Sequence, residues 1–135
     1  MASINEVCKD IVEGVEDAFA AAVVDLNTGL LLGVHHTVPY FTTSYLDAVA
    51  AAAVDMFRGK GVRGVEKRLS QQRGQEVKNT MQEIQMTTEK TYHFMAIIPG
   101  KPDALAVLIT GKKANLGLGW SGLRSAMNEL APLCP

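Results

Sequence analysis

Two stretches of this 135-residue chain carry glycines at the spacing that cradles a dinucleotide: Gly59-Lys60-Gly61-Val62-Arg63-Gly64 and Gly117-Leu118-Gly119-Trp120-Ser121-Gly122. That chemistry needs a strand running into the first glycine, a helix opening behind it, and an acid about 20 positions on for the ribose. The first stretch follows a helical pattern instead of a strand. The second is set off from its strand by residues 111–116 and has thirteen residues after Gly122, too few for a second strand and a ribose-binding acid. Thr110-Gly111-Lys112-Lys113 resembles part of a phosphate loop but has neither the upstream glycine nor a hydroxyl residue after the lysine. His35 and His36 could ligate a metal, yet neighbours in a strand point to opposite faces, and His93 is distant. Cys8 and Cys134 lie near opposite ends with no paired spacing, which excludes a zinc knuckle or a thioredoxin-type motif. Idle thiols in a reducing compartment fit them better. Neither cysteine has a nucleophile-elbow context, and no paired acids suggest glycosidase work. These residues predict no catalytic centre, no cofactor and no metal, so the expectation is a protein that is not an enzyme.

Composition narrows the classes further. At 47% hydrophobic and 20% charged the chain is globular, of a length that suits a single domain over residues 1–135. No apolar run approaches the roughly 18 residues of a membrane span, and Glu6, Asp10, Glu13, Glu16 and Asp17 make the N-terminus the opposite of a secretory leader. A cytoplasmic location and no membrane insertion are expected. The net charge of −1 hides a polarity. Residues 1–57 hold Lys9 against eight acids, whereas 58–78 hold Arg58, Lys60, Arg63, Lys67, Arg68, Arg73 and Lys78 against Glu66 and Glu76. That segment is either a solvated face or a basic patch for an acidic partner. No aromatic side chain interleaves it to stack on bases, so nucleic acid is not expected.

The elements that must position these residues follow from periodicity. Ile4, Val7, Cys8, Ile11, Val12 and Val15 predict a first helix, with Ser3 and Glu6 as its capping box. Strands near 17–26 and 30–36 flank Asp25-Leu26-Asn27-Thr28-Gly29, where Asn27 and Gly29 suit a tight turn. Ala20 to Val24 shows no polar alternation and should be covered on both faces. Thr42, Thr43 or Ser44 can cap a helix from Tyr45 to Phe57 that is apolar nearly all round apart from Asp47 and Asp55. One buried stripe cannot account for it, so one face should pack on the sheet and another on a partner chain. Three glycines should kink its continuation to about Arg73, with Gly74 as the stop. Residues 77–88 alternate as a half-exposed strand. Residues 92–98 and 104–109 are apolar runs suited to interior strands, joined by a turn over 99–103. A last helix over 116–130 puts Leu116, Leu123, Met127 and Leu130 on one face.

The hairpin Ala22-Val23-Val24-Asp25-Leu26-Asn27-Thr28-Gly29, with Leu105-Ala106-Val107-Leu108-Ile109 leading to Ala114-Asn115-Leu116-Gly117 and Leu123-Arg124, resembles the roadblock/LC7 family over roughly residues 10–130. The resemblance implies an α+β fold of order α-β-β-α-β-β-β-α. Its five-stranded antiparallel sheet would carry two helices on one face and one on the other, in a profilin-like layering. It also implies dimers joined through the central helix and the adjoining third strand into a ten-stranded sheet. The family includes dynein-associated light chains, scaffold subunits and prokaryotic partners of small Ras-like GTPases. The glycine-punctuated basic segment 59–73 departs from the pattern quoted.

The expected function is a dimeric adaptor that binds and regulates a small Ras-like GTPase. Tyr45, Val49, Ala52, Ala53 and Met56, with Ile84 and Met86 of the third strand, are the expected dimer interface. Arg58, Arg63, Lys67 and Arg68 are the expected partner-binding residues. Arg58 or Arg63 could in principle serve as an arginine finger, though ordering the GTPase's own switch loops is the preferred mechanism. The alternatives are a small-molecule sensor domain and a structural scaffold or motor-associated light chain.

Overall fold

Ser3 opens the first helix, α1 (Ile4–Gly14), its Oγ accepting the Glu6 amide at 3.2 Å, and the spacing of Val7, Cys8, Ile11 and Val12 buries one face. The structure, a computed structural model, describes residues 2–135. Next comes a hairpin of β1 (Ala18–Asp25) and β2 (Leu31–His36). In its turn the Asp25 carboxylate accepts the Asn27 amide and the Thr28 hydroxyl, each at 3.0 Å. That side chain closes the turn, so a single positive φ suffices: Gly29 supplies it at 75°, and Asn27 does not.

Thr42 caps α2 (Thr43–Arg58), accepting the Tyr45 amide at 3.2 Å, and α3 (Lys60–Arg73) follows. The expected kink is a full break. Gly59 is at once the last cap of α2 and the first of α3, in extended backbone. A Cβ there would collide with the Asp55 carbonyl, so only glycine lets the chain leave one helix and enter the next in a single residue. The remaining elements are β3 (Glu83–Thr87), β4 (Thr91–Ile98), β5 (Lys101–Gly111), α4 (Leu116–Ser125), α5 (Met127–Leu130) and a 3-10 turn (Ala131–Leu133).

The strands form one antiparallel sheet in the order β2-β1-β5-β4-β3. This is the α+β, five-stranded arrangement that the sequence resemblance implies. β5 lies at the centre, and residues 104–111 are all buried, which is why its sequence reads as an unbroken apolar run. On one face Val7 and Ile11 of α1, Leu123 of α4 and Leu130 of α5 pack with Val23, Phe94 and Leu108. On the other, Leu46, Ala50, Ala53 and Phe57 of α2 pack with Val24, Met95, Leu105, Val107 and Ile109.

Three boundaries differ from expectation, each for a local reason. β3 begins at Glu83 instead of near 77, because α3 side chains take the preceding backbone. Ser70 Oγ accepts the Val77 amide at 2.7 Å and Glu66 Oε2 accepts the Thr80 amide at 2.7 Å. The β4–β5 turn shrinks to Pro99-Gly100, where Gly100 takes φ 76°, so β5 starts at Lys101. The last helix is interrupted at Ala126, and Leu116, expected on its buried face, is 41% exposed.

Candidate interaction surface

α2 divides its apolar residues between two neighbouring stripes. Leu46, Ala50, Ala53 and Phe57 turn to the sheet and are buried. Tyr45, Val49, Ala52 and Met56, at i, i+4, i+7 and i+11, form the adjoining stripe and are half-buried or exposed. Ala53 is therefore corrected: at 1% exposure it belongs to the chain's own core, because its place in the helical turn points it at the sheet. Tyr45 is 40% exposed and stacks on Phe41 with ring centroids 4.8 Å apart.

Ile84 and Met86 lie on the α2 side of the sheet, since they pair with Met95 and His93 of β4 and Met95 packs in the α2 core. Both are half-buried, alternating with exposed Glu83, Gln85 and Thr87. β3 is the last strand of the sheet order, so its outer edge has no strand beside it among the described residues. Unpaired edge groups beside apolar side chains form a template for a further strand. The structure thus places six of the seven expected interface residues on one layer: four on α2 and two on β3.

Of the four expected partner-binding cations, two are engaged within the chain. Arg58, its side chain only 10% exposed, is a structural clamp. It donates to Asp103 Oδ1 at 2.7 Å, the Pro102 carbonyl at 2.5 Å and Asn27 Oδ1 at 3.3 Å, tying the end of α2 to the start of β5 and to the β1–β2 turn. Arg63 donates to Glu66 Oε1 at 2.8 Å and to Asn79 Oδ1 at 2.9 Å. Arg58, buried and bonded through both Nη atoms, is not free to act as an arginine finger, whereas Arg63 is engaged through Nη1 alone and keeps its side chain 37% exposed. Lys67 and Arg68 are exposed.

Sequence reasoning missed the partner that engages Arg63, the buried carboxylate of Glu66. At 3% exposure it accepts the Thr80 amide, the Thr80 hydroxyl at 2.8 Å and Arg63. Burial pushes its pKa up, but the two Thr80 bonds, then the Arg63 bond and charge, outweigh that and hold the carboxyl below the ordinary value. The available signal was a single acid three residues after an arginine inside an otherwise basic helix. The clamp carries a similar signature. The Arg58 hydrogen bond, against the opposing effect of burial and with help from Asn27 and nearby positive charge, lowers the Asp103 pKa. Arg58→Met is expected to cost about 1–3 kcal/mol of stability and to move the Asp103 titration upward, as followed by carboxylate-detected NMR.

The residues rejected as catalytic have structural places. Cys8 and Cys134 are buried in the α1-side core, and burial, with a smaller contribution from Cys134, pushes the Cys8 thiol up to about 12. A thiol so protonated is a poor nucleophile. His36 Nδ1 accepts the Val38 amide at 3.3 Å, and Thr91 Oγ1 lies 3.0 Å from His93 Nε2. The second glycine stretch spans α4, where Gly119 lets the helix lie directly on the Phe94 ring.

No protein-family model matches the sequence, and no curated protein matches it in sequence. Its likeness is to solved structures. The Roadblock/LC7 domain from Streptomyces avermitilis superposes with a TM-score of 0.71 at 15% identity, covering 97% of each chain. This chain has the roadblock/LC7 fold. MglB of Myxococcus xanthus shares the fold at 18% identity and a TM-score of 0.68, over 96% of this chain and 93% of that one. An MglB in a tetrameric arrangement gives 19% identity and a TM-score of 0.71, over 96% and 85%. In this fold the apolar stripe of α2 and the open edge of β3 lie on the same side of the sheet.

Proposed function

We propose that this roadblock-fold chain is a non-enzymatic dimeric adaptor that binds and regulates a small Ras-like GTPase. The single observation that carries the reading is the half-exposed stripe Tyr45, Val49, Ala52 and Met56 beside β3, the sheet's open edge. A second copy would bury that stripe and pair with the edge, the two things an isolated chain leaves undone. An MglB of this fold that adopts a tetrameric arrangement supports self-association. The GTPase partner rests on the sequence resemblance to a family that includes such partners. Lys67 and Arg68 supply positive charge beyond the end of the α2 stripe for an acidic partner surface.

The sensor alternative needs an enclosed pocket. Between α2 and the β1–β2 hairpin the space, lined by Leu31, Val34, Leu46 and Val49 among others, amounts to about 20 Å³. Ligand pockets are typically about 300–1,000 Å³. The core there is filled, whereas a cleft of about 490 Å³ beside Phe57, Met81, Ile97 and Pro99 reaches that size and is where a ligand of the sensor alternative would sit.

The experiment is a pull-down from the source lysate with tagged protein, run in parallel with a GTP analogue and with GDP. Recovery of a Ras-like GTPase enriched in one nucleotide state is the expected result. Equal recovery in both states would favour a scaffold, and recovery of no GTPase would overturn the regulator reading.

A further inference from the structure

The glycines and cations of α3 pose a question that the chain's own packing does not answer. Glu66 is the one fully buried residue among those described in this 14-residue helix. Its outer face carries Lys60, Gly61, Gly64, Val65, Lys67 and Arg68. Val65 is 60% exposed. A Cβ at Gly61 or Gly64 would meet nothing within 4 Å, and neither takes a positive φ. Each nevertheless weakens the helix by about 1 kcal/mol relative to alanine. Their use lies outside the chain, where a missing side chain lets another backbone come close. With Arg58, Arg63 and Glu66 engaged internally, the exposed charge of this region is Lys60, Lys67, Arg68, Arg73 and Lys78 against Glu76.

The complement to this face is on the chain itself. α1 lies across the sheet from α2 and presents Glu6, Asp10 and Glu13 outward, at i, i+4 and i+7, with Lys9 as its single cation. Beside it a groove of about 180 Å³ runs between α1 and α4–α5. Asp10 and Glu129 stand on its rim, Val7, Ile11 and Ala126 form its apolar floor, and Gly14 leaves it open, while the Val15 side chain occupies the space beside Gly122. An apolar floor between carboxylates is the counterpart of Val65 set between lysines and an arginine.

We propose that α3 of one copy docks along α1 of a second copy, with Lys67 and Arg68 on the Asp10, Glu13 and Glu129 carboxylates and Val65 over the groove. The two surfaces differ and lie on opposite sides of the protomer, so the contact is heterologous. It propagates from copy to copy instead of closing on itself as a two-fold pair does. It is separate from the α2–β3 seam and needs no GTPase. Occupation of α3 by a second copy also excludes any other acidic partner from that face.

Sedimentation velocity on the purified chain tests this, at about 0.02 M and about 0.5 M salt, where the Debye length falls from roughly 20 Å to roughly 4 Å. Wild type is expected to show association beyond its high-salt mass at low salt only. K67E/R68E and D10K/E13K should each weaken that association by roughly tenfold or more through like-charge apposition. The four-site variant, with both faces reversed, should recover it. The same pattern should persist in an Ala52→Glu background, which separates this contact from the seam. All four charged positions are exposed, so melting curves should stay near wild type and report intact folding. A mass indifferent to salt, or a four-site variant that fails to recover, would overturn the proposal.

Discussion

Phe94→Ala is expected to cost about 3–5 kcal/mol, the range for removing a large aromatic from a closed core. Phe94 is fully buried on β4, opposite Leu108 of the central strand, and its ring meets Trp120 edge-on with centroids 5.3 Å apart. The same ring fills the space left by Gly119, so the helix backbone lies directly on the Phe94 side chain. Truncation would leave a void beneath α4 that the helix cannot follow, because Leu123 and Leu130 hold it to the same core. The converse change, Gly119→Ala, drives a methyl group into the ring and should cost about 1–3 kcal/mol by overpacking. The two errors have opposite sign, so the double variant should be more stable than the sum of its parts predicts. Urea unfolding of the four chains measures this directly; strict additivity would show that ring and glycine do not share the space.

Glu66→Ala should release the segment from α3 to the start of β3. The Thr80 amide and hydroxyl would lose their acceptor and Arg63 its partner. An orphaned polar group costs about 1–3 kcal/mol where burial persists, and here the segment can open to water instead. The loss should therefore be local: faster amide exchange over residues 60–82, with β4 and β5 protected as before. The pH dependence has a definite sign. The folded Glu66 carboxyl is depressed, so its stabilisation is present above the ordinary value of 4.5 and is lost as pH falls through the lower folded value. Burial also depresses His93, which costs stability over a separate window, from 6.5 down to its folded value. Glu66→Ala should flatten the acid limb below about 4.5 and leave the His93 window unchanged. An unchanged acid limb would remove Glu66 from the account.

Period and turn chemistry made much of this fold legible before any coordinates. The unbroken run over 104–109 announced an interior strand, and the wide apolar surface of α2 announced a helix with more apolar surface than one buried stripe needs. The site was less legible. Side-chain identity distinguishes a free cation from a clamped one only when its partner is known. The partners of Arg58 lie in the β1–β2 turn and at the start of β5, both remote in sequence. Lys67 and Arg68 differ from Arg63 in having no carboxylate or amide hydrogen-bonded to them among the described residues. Ala53 differed from Ala52 by a single 100° step around the helix, enough to carry it from the exposed stripe into the core.

The central claim, that the α2 stripe and the β3 edge meet a second copy, is most directly tested by light scattering on the eluting wild-type chain and its Ala52→Glu variant. Ala52 is exposed, so the variant should fold normally, while a carboxylate buried in a helix seam without a partner should dissociate it. A dimeric wild type and a folded, monomeric Ala52→Glu are the predicted results. A folded variant that remains dimeric would contradict the account.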